Sequence, residues 1–165
     1  MNREEERAIE WDCEQLLRRY YNHVHNREFD KAVALFTPDA DWHALGVDLK
    51  GREAILEGLS SGFASGTVRH TVTGTVVTVI DAENAESVYC NSVYNAPDIR
   101  IEDREIPIAM EGPRLVVDVA DRLVRTDDGW KIARRRGRVV FKRESDKLLP
   151  FEAWAKQEGK TTTNV

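Results

Sequence analysis

Two cysteines in 165 residues, Cys13 and Cys90, leave no basis for a multi-disulfide scaffold or a cysteine-rich metal cluster. Each sits inside a periodic apolar pattern, so both read as small buried hydrophobes with reduced thiols. Long hydrophobic runs are absent too. The uncharged stretch Val72 to Ile80 is far short of the roughly 20 apolar residues of a membrane span, and Met1-Asn2-Arg3-Glu4-Glu5-Glu6 leads into no apolar leader core. The expectation is a cytoplasmic protein with no membrane partner. An excess of positive charge is also lacking: 24 Lys and Arg against 29 Asp and Glu give a formal charge of −5. A nucleic-acid partner is not expected, because displacing phosphate counterions requires a basic surface. The one basic run, Arg134-Arg135-Arg136-Gly137-Arg138, reads as the solvated part of a strand between Trp130-Lys131-Ile132-Ala133 and Val139-Val140-Phe141. An arginine directed into a pocket is the alternative.

Catalytic signatures of several classes are missing as well. There is no glycine-rich phosphate loop and no helical His-Glu-x-x-His, and the four histidines, His23, His25, His43 and His70, share no short spacing on one face. No metal and no organic cofactor are expected.

What remains is a globular composition, 41% hydrophobic and 32% charged, in a chain of single-domain length. Ile9, Cys13, Leu16, Leu17, Tyr20 and Val24 recur at three- and four-residue spacing and predict a helix over 3–26. A shorter helix is expected over 29–36, ended by Thr37-Pro38-Asp39. A strand follows over 40–45, a turn over 46–51 and a third helix over 52–60. Strands are then expected over 67–79, 85–94, around 106–110, over 114–125 and over 129–141. Asp81-Ala82-Glu83-Asn84 and Thr126-Asp127-Asp128-Gly129 read as hairpin turns. Helices first and hairpin-linked strands afterwards predict an α+β domain over 1–145 rather than alternating βαβ units. A tail over 146–165 carries Leu148, Leu149, Phe151 and Trp154 at helical spacing, read as a helix that packs on the domain or a second subunit, with a lid over a pocket as the alternative.

The segment from Phe29 to Trp42, then His70, then Asp121 to Ile132 resembles the SnoaL-like branch of the nuclear transport factor 2-like superfamily, over about residues 5–142. The likeness is greatest to the group containing scytalone dehydratase, hexachlorocyclohexane dehydrochlorinase and bile-acid dehydratases. It implies a cone-shaped, curved mixed sheet, largely antiparallel, wrapped around the N-terminal helices, a cofactor-free lyase activity, and a pocket histidine matched here by His70. The group often has Asn where Gly74 stands. In its dyad enzymes an aspartate near the end of the first helix orients the histidine, and an ungapped count back from Trp42 places His25 there.

A histidine with an ordinary pKa of about 6.5 exchanges protons near neutrality, which makes His70 the first candidate for general acid or base. His25 and Asp121 complete the catalytic candidates, with Tyr21, His25 or Asp121 as source of the proton given to a leaving group. Tyr21 and Trp42 are candidates for an aromatic substrate wall. Tyr89 and Asn91, on one face of their strand with Val93, are the other binding candidates. Each has a plain structural reading beside it: a hydrogen-bonded strand histidine for His70, a helix-end cation for His25, core packing for the aromatics and an exposed ion pair for Asp121-Arg122. The expected activity is a dehydratase or related elimination on a small hydrophobic cyclic or aromatic molecule, by a dimer or trimer of the chain. An isomerase or polyketide cyclase, a non-catalytic binding module and the small subunit of a ring-hydroxylating oxygenase are the competing readings.

Overall fold

The computed structural model describes residues 1–44, 46–62, 66–96, 99 and 107–144. Helix α1 (Arg3–His25) opens on a capping box: Asn2 Oδ1 accepts from the amides of Glu4 and Glu5, and Glu5 Oε2 accepts from the amide of Asn2. Its buried stripe is the expected one with Tyr21 added. The helix ends in a Schellman turn, in which Arg27 takes φ 59° while the amides of Arg27 and Glu28 donate to the carbonyls of Val24 and His23. His25 is thereby fixed in the last helical turn.

Short α2 (Phe29–Val33) is followed by β1 (Phe36–Ala44), β2 (Val47–Lys50) and α3 (Gly51–Gly62). Two expectations are corrected at this point. The second helix stops three residues early and the strand begins at Phe36, not 40; Pro38 lies where the pairing of β1 with its neighbour is irregular, so its missing N–H breaks no regular ladder. Residues 47–50, expected as turn, pair with β1 as a strand with alternate residues buried.

Strands β3 (Thr67–Val79), β4 (Asn84–Ala96), β5 (Leu115–Thr126) and β6 (Gly129–Lys142) complete a six-stranded sheet in the order β2-β1-β6-β5-β4-β3. β1 and β6 run parallel and every other pair is antiparallel. Residues 107–110, expected as part of a strand, have no regular structure; Ile106 and the tail over 146–165 lie outside the described residues.

One face of the sheet is buried under the helices. Leu115, Val117, Val119, Asp121 and Leu123 of β5 are all buried, while Asp118, Ala120 and Arg122 between them are exposed, the period of a half-buried antiparallel strand. By the same alternation Ser87, Tyr89, Asn91 and Val93 of β4 face inward, which assigns the face of Tyr89 and Asn91 that the sequence leaves open. Cys13 is fully buried as expected, whereas Cys90 is only half-buried on the opposite face.

Candidate functional site

β3 is the edge strand at one end of the sheet, and α1 packs against it. An edge strand leaves backbone N–H groups outside the ladder. That of His70 is taken by a side chain: it donates to His25 Nε2 at 2.8 Å. The two imidazoles lie nearly parallel, ring centres 5.3 Å apart, with His25 Nε2 3.2 Å from His70 Nδ1.

The protonation of this pair follows from the donors available. A backbone N–H only donates, so His25 Nε2 presents its lone pair and neutral His25 carries its proton on Nδ1. The same lone pair faces His70 Nδ1, which must then carry the His70 proton. In that tautomer His70 Nε2 is unprotonated. Burial, with a smaller effect from the Arg69 guanidinium, pushes the His25 pKa down to about 4. Burial first, then His25, Arg135 and Arg69, pushes His70 down to about 3. Both rings are neutral at physiological pH.

A cleft of about 530 Å³ runs between α1 and β3 past this pair. Glu14, Arg18, Asn22 and His25 form its helical wall, at the spacing of one helix face. Tyr21 and Val72 contribute apolar surface, and Thr73, Gly74 and Thr75 form the strand wall. Gly74 stands at a β-bulge where three steps on β3 match two on β4, with φ 65°, a conformation glycine adopts without steric cost. The cleft is thus more polar than the apolar pocket the sequence suggests.

Behind Tyr21 lies a buried polar chain. Tyr21 Oη donates to Tyr89 Oη at 3.0 Å, and Tyr89 Oη donates to Asp121 Oδ2 at 3.2 Å. Arg135 closes on Asp121 from the adjacent strand with two bonds of 2.8 Å, from Nε to Oδ1 and from Nη2 to Oδ2. The side chains of Arg135 and Asp121 are 3% and 0% exposed. The guanidinium carbon stands 4.3 Å from the Tyr20 ring centre, with Phe36 and Trp42 within 6 Å. Arg135 is therefore no part of a solvated strand face, which corrects the reading of the basic run at this position, and Asp121 pairs with it rather than with Arg122. Desolvation raises the Tyr21 pKa to about 12, so its hydroxyl keeps its proton. Asn91 Nδ2 donates to Tyr21 Oη at 3.4 Å, and Asn91 Oδ1, though buried, has no hydrogen-bond partner among the described residues.

The structure thus brings His25, His70 and Tyr21 together at the cleft, with Asn91 and Tyr89 one hydrogen bond behind. Asp121 belongs to the interior ion pair. Trp42 is a core residue, stacked 5.9 Å from Phe36 and edge-on to Tyr20, and is not among the residues that line the cleft. His23 is bonded to Glu28 and His43 to Asp48, both away from the pair. Arg18 and Glu14 were not singled out by sequence; their shared helix face with His25 was the available signal.

The SnoaL-like domain family matches residues 5–136, and the chain belongs to that family. Among solved structures it is similar to a Novosphingobium aromaticivorans protein with a nuclear transport factor 2-like, cystatin-like fold, at 19% identity and TM-score 0.63, with 82% of each chain covered. A second protein of that organism, provisionally described as a scytalone dehydratase, is 19% identical at TM-score 0.66, with 81% of this chain and 85% of the other covered. A hexachlorocyclohexane dehydrochlorinase from Novosphingobium barchaimii is 16% identical at TM-score 0.63, covering 84% and 88%. These likenesses establish the cone-shaped α+β fold. A search of curated proteins gave no match. No described helix is long and apolar enough to cross a membrane.

Proposed function

We propose that the chain is a cofactor-independent lyase of the dehydratase type, in which His70 Nε2 is the proton acceptor. The observation that carries this reading is the contact of His25 Nε2 with the His70 amide and Nδ1, which favours the His70 tautomer with Nε2 unprotonated, in a residue that lines the cleft. Nε2 takes a proton from a carbon next to a carbonyl or ring. The electrons of that C–H bond form the new double bond, and the leaving group departs with its bonding pair and acquires a proton. Neither Tyr21, whose hydroxyl donates to Tyr89, nor Asp121, which Arg135 occupies on both oxygens, is placed to give that proton, so it comes from water in the cleft.

His25 fills the acceptor position of a dyad carboxylate without its charge. It sets the tautomer of the base but does not stabilise the imidazolium as an anion does. The chemistry therefore suits a substrate proton that an adjacent activating group has already made acidic. An isomerase or cyclase needs the same proton acceptor, and the dehydratase reading is preferred here for the likeness to the two lyase-named structures above.

His70→Gln keeps a similar volume and one polar group but has no titratable nitrogen. It is expected to lower kcat by about 10²–10⁴-fold, the usual share of a general base, while leaving the affinity for a bound product within a few-fold. Survival of turnover within a few-fold of the parent, on a substrate found by screening hydroxylated cyclic compounds, would remove His70 as the base.

A further inference from the structure

We infer that the cleft takes an anionic substrate, its carboxylate held by Arg18 and its reacting end at His70. The placing of the reacting end rests on the proposed function; the anion contact does not. Arg18 and His25 lie on one face of α1, both in the cleft wall, seven residues apart. At 1.5 Å per residue this spacing separates the two backbone positions by about 10 Å along the helix axis, so a substrate that touches both side chains is at least as long as a ring with a short acidic side chain.

Arg18 is free to take such a group. Its side chain is 62% exposed, and its one hydrogen bond among the described residues runs from Nη2 to Glu14 Oε2 at 2.9 Å. An exposed pair at this helical spacing is weakly held, and a single bond leaves most of the five guanidinium donors unused, where a carboxylate can be met by two in parallel. The guanidinium also lies over the exposed ring of Trp11, 5.8 Å from its centre, a contact compatible with carboxylate binding at the guanidinium edge.

The surrounding charge does not oppose an anion. Glu14 is the only carboxylate among the described residues that line the cleft, and it already partners Arg18, so an incoming carboxylate exchanges with it. His25 and His70 carry no charge at pH 7. Arg69, beside them, donates to the backbone carbonyls of His25 and Val68 and to no carboxylate among the described residues. Its positive charge is felt by both rings.

The test uses the full chain at pH 7 with 4-phenylbutyrate and 4-phenylbutyramide, alike in shape and different in charge, titrated by NMR at the Trp11 indole and the His70 ring. The acid is expected to bind roughly tenfold tighter than the amide, the size of one charge-assisted contact. Arg18→Gln abolishes the preference, and Glu14→Gln tightens the acid a few-fold. Equal binding of acid and amide, no binding of either at millimolar concentration, or a preference that survives Arg18→Gln overturns the proposal. The readout does not involve turnover. An intact acid preference in a protein whose His70→Gln form stays active would sink the lyase reading alone.

Discussion

Arg135→Met lowers the unfolding free energy by about 3–5 kcal/mol, the cost of leaving a buried charge without its partner. Asp121 is fully buried and both its oxygens are bound by Arg135, so removal of the guanidinium strands a carboxylate whose remaining described donor is the Tyr89 hydroxyl. The aromatic box of Tyr20, Phe36 and Trp42 that surrounds the guanidinium offers an apolar group good contact, but offers the stranded carboxylate nothing. The double change Arg135→Met, Asp121→Leu therefore recovers most of the loss, because two apolar groups need no desolvation. Urea unfolding followed by Trp fluorescence reads both. A single variant within 1 kcal/mol of the parent would contradict the buried-pair account.

His25→Asp is expected to raise the His70 pKa from about 3 by roughly one to three units, part of the way back to its ordinary value, because burial continues to act. Two effects act in the same direction. The depressing influence of the His25 ring is removed, and a carboxylate facing Nδ1 favours the imidazolium, typically by one to three units. His25→Glu provides the same charge on a longer arm, in case the aspartate falls short of Nδ1. A stronger base transfers protons more readily, so turnover limited by proton abstraction rises with the pKa as long as the ring is neutral at the assay pH. The His70 ring resonances, followed from pH 3 to 9, report the shift directly. A His70 that still titrates below 4 in both variants would show that burial alone, and not the identity of its partner, sets its basicity.

Much of the fold was legible because its signals are local. The spacing of Ile9, Cys13, Leu16, Leu17, Tyr20 and Val24 marks a helix that needs no tertiary information, and the Asp-, Asn- and Gly-containing turns at 81–84 and 126–129 fix two of the three antiparallel pairings in the β3–β6 meander. β2 escaped because four residues between Gly46 and Gly51 carry almost no periodic signal, and the early start of β1 escaped because Pro38 reads as a stop in either secondary structure. The site was legible in part. His70 and His25 come from resemblance and from position on α1, yet their mutual geometry depends on an edge strand meeting a helix end 45 residues away. The Asp121–Arg135 pair illustrates a subtler limit. Extending the register of the Thr126–Gly129 turn without interruption sets Asp121 opposite Arg134, and the bulge between Leu123 and Arg122 moves its partner to Arg135. One inserted residue decides which arginine of a basic run is buried, and nothing in the local sequence announces it.

The central claim is that two neutral imidazoles share one lone pair so that His70 Nε2 is unprotonated. Nitrogen-15 NMR of the two rings in the unmodified protein, recorded from pH 7 down to pH 3, tests it most directly. The account predicts that His70 holds its proton on Nδ1 with Nε2 unprotonated, that His25 has the same tautomer, and that neither ring takes up a second proton until the pH is near 4. A His70 protonated on Nε2, or a ring that titrates near 6.5, would contradict it.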